Sequence, residues 1–359
     1  MKNFKFFFIL ILLCILSLSA VKSNSNSTIT PLKSFYIFSS SVAISPDNQI
    51  LIGESFGYIK MWNITSEDKI REFKAHNDTI FSIKFSSSGD FFITGSGDRD
   101  IKIWNTSNGI LIKTLSGHKD YVRGVSLSPD EMKVATASYD RTIKIWNIDT
   151  EKELVSIKGP IEGFSSVDYS PDGSYLAIGT FEGRILVYDI LTNQTLQEYN
   201  VGSIVYSVKY SANGDYIACG TYSGKVVLID VNSAKVSSMS KLHFSHVQTV
   251  DFASDDSYLV SGSGDKKISI WNYLNGEVVK DWNAHRAEIN ALVVSSNNLI
   301  ASASRDSYIH IWNASDIIGY QSSSHSTLIN SKSITPGFTF TTFILLTITT
   351  SFIPYARKK

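Results

Sequence analysis

The chain has 359 residues, 43% hydrophobic and 12% aromatic, enough apolar material for one domain with a large core and short appendages. Lys plus Arg total 33 and Asp plus Glu total 33, a balance that excludes the basic footprint of a nucleic-acid binder. Two cysteines are too few for a disulfide-stapled scaffold.

Met1 to Lys5 carries two lysines, Phe6 to Leu18 is nearly all apolar, and small residues sit at Ser17, Ser19 and Ala20. This layout predicts a secretory signal peptide over residues 1–20. The alternative is an uncleaved signal anchor, for which the apolar run is short. Cleavage near Ser19, Ala20 or Ser23 removes Cys14 and leaves Cys219 as the mature chain's one thiol.

From Ile29 onward the chain is periodic. Ala135 to Asn147 reads as two short strands joined by a tight turn at Tyr139, Asp140 and Arg141, with alternation along Ile143, Lys144, Ile145 and Trp146. Phe92 to Asn105, Val260 to Asn272 and Ile300 to Asn313 repeat the pattern, and Leu51 to Asn63 repeats its second half. Positions equivalent to Trp146 fall at Trp62, Trp104, Tyr188, Ile229, Trp271 and Trp312, spaced by 41 or 42 residues. Such a period with four strand-like segments per unit is the signature of a β-propeller blade. Seven turns rich in Ser, Pro, Asp, Asn and Gly, at 45–48, 86–90, 128–131, 170–173, 211–215, 253–257 and 295–298, predict seven blades.

These units resemble the WD40 repeat family over Ile29 to Tyr320, although the five Trp-ending units close with Trp-Asn and Asp follows only Tyr188 and Ile229. The resemblance implies an all-β, seven-bladed WD40-type β-propeller. Each unit then supplies strand d of one blade and strands a, b and c of the next. Two segments compete to close the ring: Ile29 to Leu32, where Pro31 is acceptable at an edge, and Asp316 to Tyr320.

Four units carry a His before strand a and an Asp in the b–c turn: His76 with Asp98, His118 with Asp140, His243 with Asp265, and His285 with Asp306. The resemblance implies that each pair joins its Trp (Trp104, Trp146, Trp271 or Trp312) and a strand-b hydroxyl, such as Ser96 or Ser138, in a hydrogen-bonded network. A buried Asp needs such donors. The first unit has Phe35 and Phe56 at the His and Asp positions, and the units ending at Tyr188 and Ile229 have Pro160 with Glu182 and Val201 with Ser223. Four equivalent Ser/His/Asp sets speak for structure and against a catalytic triad. Gly53-Glu-Ser-Phe-Gly57 matches G-x-S-x-G but lies between two strands, the wrong context for a nucleophile elbow. No spacing resembles a zinc or calcium loop, the histidines are dispersed over the units, and no glycine-rich loop opens a helix, so no metal, nucleotide or other cofactor is expected.

In proteins of the resembled family, partners bind one face of the ring. Carried onto this sequence, that face holds Phe38, Phe81, Tyr121, Arg123, Tyr139, Phe181, Tyr206, Tyr222, His246 and Arg305. Aromatic and Arg side chains are the usual material of interface hot spots. The charges elsewhere are scattered, with no convergent set that marks an enzyme.

Residues 321–337 are Ser-rich, and Phe338 to Ile353 is apolar before a basic end. The segment 338–359 reads either as a GPI-attachment signal, with Ser322 to Ser324 or Ser331 as attachment sites, or as a single span with a stop-transfer flank. Sequons occur at Asn26, Asn63, Asn77, Asn105, Asn193 and Asn313. Together these features predict a non-enzymatic scaffold for other proteins, exposed in the secretory pathway or at the cell surface and held to a membrane by its C-terminus. Its alternatives are a cytosol-facing tethered scaffold and an extracellular propeller enzyme or glycan binder. No nucleic-acid partner or small-molecule substrate is indicated.

Overall fold

A computed structural model describes residues 29–159, 161–241 and 243–319. The leader (1–20), Asn26, Pro160, the Ser-rich linker (321–337) and the hydrophobic tail (338–359) lie outside the described residues.

Seven four-stranded antiparallel sheets form the ring, each ordered a-b-c-d, as the period requires. Their a strands are Val42–Ile44, Ile80–Phe85, Val122–Leu127, Phe164–Tyr169, Val205–Tyr210, Val247–Phe252 and Ile289–Val294, and they line a central channel. We number the blades 1 to 7 in that order.

Every blade is covered on both faces, which is why strand c tolerates apolar residues at consecutive positions, as at Ile145 and Trp146. The apolar side chains gather into seven clusters, each spanning two neighbouring blades. In blades 1 to 6 a bulge in the c–d ladder falls just before the Trp position, as between Ile145 and Trp146. Strand-b glycines let neighbouring blades close up: a Cβ on Gly95 would lie 2.7 Å from Val125 Cγ1 of the next blade.

The ring closes through the N-terminal segment. Lys33–Tyr36 pairs antiparallel with Tyr308–Asn313 and becomes strand d of blade 7. The closing strand thus begins just after the expected Ile29 to Leu32, because Pro31 cannot donate to a ladder; Leu32 N already donates to Ile311 O at 2.7 Å. Of the competing segment Asp316 to Tyr320, residues 316–318 instead belong to a short helix, Ala314–Ile318, capped by Asn313 Oδ1 and ended by Gly319 at φ 72°, and Tyr320 lies outside the described residues.

Candidate functional site

The four His/Asp pairs form as expected. His76 Nδ1 lies 2.9 Å from Asp98, His118 2.7 Å from Asp140, His243 3.0 Å from Asp265 and His285 3.0 Å from Asp306. Each Asp also accepts from the backbone N–H after its His, as Lys119 N to Asp140 at 2.9 Å.

The hydroxyl that completes the set differs from the expected one. Nε2 meets Thr94, Thr136, Ser261 or Ser302 at 2.7–2.8 Å, two residues before Ser96, Ser138 and their equivalents. Trp104, Trp146 and Trp312 donate to the same oxygens at 2.9–3.0 Å, whereas Trp271 Nε1 finds no acceptor. In blades 2, 3 and 7 the Trp N–H donates to the hydroxyl; in a neutral imidazole protonated at Nδ1, that proton goes to Asp and Nε2 accepts from the hydroxyl, while the Thr94 and Thr136 hydroxyls also reach the carbonyls of Lys102 and Lys144. Burial lowers the pKa of His76 and His285 and favours that state. Ser96 and Ser138 instead cap the b–c turn, donating to Asp78 O and Asp120 O and accepting from Asp98 N and Asp140 N.

Where the His is missing, the relay hydroxyl is missing too: Ile52, Ile178 and Cys219 hold that position in blades 1, 4 and 5, all fully buried. In blade 1 Phe35 packs on Trp62 with centroids 5.5 Å apart, an apolar substitute for the network. Burial pushes the Cys219 thiol up to about 12, so it is an inert core residue. Glu182 keeps one bond of the Asp it replaces, accepting from Ile161 N at 3.0 Å.

Glu54 was not singled out by the sequence. It occupies the Ser96 position of blade 1, where its Oε2 accepts from Ile80 N at 3.1 Å while the buried Oε1 has no partner. Burial raises its pKa to about 7, above the unfolded value of 4.5. The folded state binds this proton more tightly, so stability is gained as pH falls through 7 and is lost above it. Glu54→Gln should therefore raise the melting temperature at pH 8, against an ionised-carboxylate cost of up to roughly 3 kcal/mol. The gain should fade toward pH 5; a pH-independent difference in thermal scans would contradict this account.

Of the ten expected face residues, seven line the channel: Phe38, Phe81, Arg123, Tyr206, Tyr222, His246 and Arg305. The channel encloses about 1070 Å³. Tyr121, Tyr139 and Phe181 stand on its shoulder, with Tyr139 and Phe181 stacked 4.6 Å apart. Phe81, Tyr121 and Tyr139 continue that arc at 5.9 and 6.1 Å, and the Arg123 guanidinium lies 4.4 Å over the Phe81 ring. A second arc joins Tyr206, Tyr222 and His246 at 5.7–6.3 Å. Phe38 stacks on Phe56 at 5.5 Å, and Arg305 pairs with Glu288 at 2.8 Å. Phe181 is nearly buried while Tyr222 remains 58% exposed, so the face mixes packed and free rings.

Scattered charge was expected, but the fold corrects this. Lys84, Asp168, Lys209 and Asp251 converge inside the channel toward the a–b-turn end. Lys209 Nζ lies 3.5 Å from Asp168 and 3.9 Å from Asp251. The carboxylates also tie blades together: Asp168 accepts from Tyr210 N at 3.0 Å and Asp251 from Val294 N at 2.8 Å. The adjacent Lys209 charge, with burial, brings the Lys84 ammonium down to about 8. All four occupy one phase of the repeat, the second residue before the Ser that opens each a–b turn or its Ala253 counterpart, and that phase is the signal that finds them.

The histidines are less dispersed than the sequence implied. His285 and His310 stack 4.5 Å apart in blade 7, and with Asp306 their ligand atoms lie within 4.8 Å of one another. Both nitrogens of His285 are already engaged, by Asp306 and Ser302, and His310 Nδ1 shares a bond with Ser34 at 2.8 Å. Among the sequons, Asn77 and Asn193 are exposed. Asn63, Asn105 and Asn313 are half-buried, their Oδ1 atoms accepting from the following turn's backbone.

Comparison with known proteins agrees with the fold. Over 87 residues, 24% of this chain and 12% of the relative, the chain is 31% identical to Mitochondrial division protein 1 of Candida glabrata. Over 86 residues, 22% of this chain and 20% of the relative, it is 26% identical to the guanine nucleotide-binding protein subunit beta of Saccharomyces cerevisiae. The chain thus matches only a minor part of either relative's length. Residues 276–313 match the model described as "WD domain, G-beta repeat". Residues 39–273 match the model described as "IFT122 first beta-propeller", so this chain, most of its length covered, belongs to that family of WD-repeat propellers.

Proposed function

We propose that this protein is a non-enzymatic scaffold that docks a partner protein over the aromatic mouth of its channel, on the extracytoplasmic side of a membrane to which its C-terminal tail holds it. The observation that carries the reading is the mouth itself: two arcs of rings in stacked and edge-on contact, with arginines, on a closed ring. Such surfaces supply large contact area at low entropic cost. The channel charges favour the same reading, because the carboxylates are tied to backbone amides of neighbouring blades. A relative named as a subunit points the same way.

A photo-crosslinking residue at Tyr222, compared with one at Leu191, which is 90% exposed in a c–d turn, tests the docking face. A discrete protein adduct from position 222 alone is expected; equal adducts from both, or none from 222, would overturn the assignment. The compartment is read from gel mobility before and after enzymatic removal of N-glycans, with Asn77→Gln and Thr195→Ala alongside. A shift reduced by these changes supports lumenal blades and leads to phospholipase release of a lipid anchor. Absence of a shift in a membrane-bound protein returns the cytosol-facing scaffold.

A further inference from the structure

We propose that the mouth of the channel receives a single anionic group, a carboxylate or a phosphate, borne on an extended segment of the partner protein and bound by Arg123 with Tyr206. This rests on the scaffold reading and specifies the chemistry of the docking segment.

Arg123 is a charge without a counter-charge. Its Nε is wholly buried with no hydrogen-bond partner, and no carboxylate lies within ion-pair distance among the described residues. The groups around it are rings: Phe81 at 4.4 Å and Tyr139 at 5.9 Å from the guanidinium carbon. Cation–π attraction offsets part of the desolvation, but a guanidinium's donors remain unmet by aromatic faces. The other arginine of the mouth makes the contrast, since Arg305 is neutralised by Glu288 at 2.8 Å. Deeper in the channel Lys209 likewise has Asp168 and Asp251. Arg123 alone among these is left to be completed from outside.

Tyr206 supplies the second donor. Tyr206 lines the same channel as Arg123, and burial raises its pKa, keeping the hydroxyl protonated. A planar guanidinium fork and a phenolic O–H lining one channel suit one carboxylate or phosphate, which accepts from both. The rings that flank the pair then cover the segment on either side of the anion.

The test titrates the full-length protein with three fluorescein-labelled heptapeptide pools, randomised except for a central Glu, Gln or phosphoserine, and reads anisotropy. One or both anionic pools should bind at least about tenfold more tightly than the Gln pool. A phosphoserine preference assigns phosphate as the source, and a Glu preference assigns carboxylate. Arg123→Met should erase the preference while the melting temperature holds or rises, because the change removes an uncompensated buried charge. Equal binding of all pools by the native protein, or a preference that survives Arg123→Met, would overturn the proposal. If Arg123→Met is unstable, Arg123→Lys and Tyr206→Phe decide: each should cut the preference several-fold, and an unchanged preference in both rejects it. Tyr206→Ala/Tyr222→Ala separates the two readings. Loss of all pools without any anionic preference in the native protein rejects only this inference, whereas full binding by the double variant rejects docking at the mouth.

Discussion

Asp140→Ala is expected to cost about 3 kcal/mol of unfolding free energy, against less than about 0.5 kcal/mol for Glu182→Ala at the equivalent position of the next blade. Asp140 accepts four hydrogen bonds, from His118 Nδ1, Lys119 N, Thr142 N and Thr142 Oγ1, at 2.6–2.9 Å. Truncation leaves these donors, the buried His118 ring among them, without their acceptor, whereas Glu182 offers one exposed acceptor. Burial alone would raise the Asp140 pKa, but the bonds from His118 and Thr142 outweigh it and hold the carboxyl well below its usual range. A depressed carboxyl contributes stability above its unfolded pKa and loses it as pH falls toward the folded value. The gap between native protein and Asp140→Ala should therefore be full at pH 7 and narrow below about pH 4. Equal losses for the two variants in urea unfolding would remove the network from the account of stability.

Phe35→Ala should destabilise by about 3–5 kcal/mol, while Tyr36→Ala on the same strand should change stability by under about 0.5 kcal/mol. Phe35 is 4% exposed and packs with Trp62, Ile309 and Ile311 where the last blade meets the first, whereas Tyr36 is 75% exposed. The contrast isolates the clasp, because both residues keep their backbone pairing to blade 7. Loss of Phe35 removes the side chain by which the N-terminal strand holds the ring shut, so protease cleavage between Ile29 and Ile37 should accelerate as well. Similar stability for both variants would show that ladder hydrogen bonds, and not this ring, close the propeller.

The spacing of Trp62, Trp104, Trp146, Tyr188, Ile229, Trp271 and Trp312 was enough to predict seven blades, because a blade must repeat its apolar phase to cover its neighbours. Recurrence likewise made the His/Asp pairs and the residues of the mouth legible, since each holds a fixed place in the repeat. The relay hydroxyl was not legible: Thr136 and Ser138 lie on the same side of one strand, and only the placement of the Trp146 indole on strand c shows that Thr136 receives its N–H. The N-terminal clasp could be read from the sequence, but not where its strand starts, which depends on where Pro31 stops interfering with the ladder.

The lone Arg123, the Lys209 tie to Asp168 and Asp251, and the buried Glu54 with its raised pKa belong wholly to the folded ring. Period and pattern determined this protein's architecture because burial of alternating residues is a local property of sequence. Which charges meet, and which is left without a partner, was decided by closure, which brings residues from separate blades around one channel and sets how much water each retains.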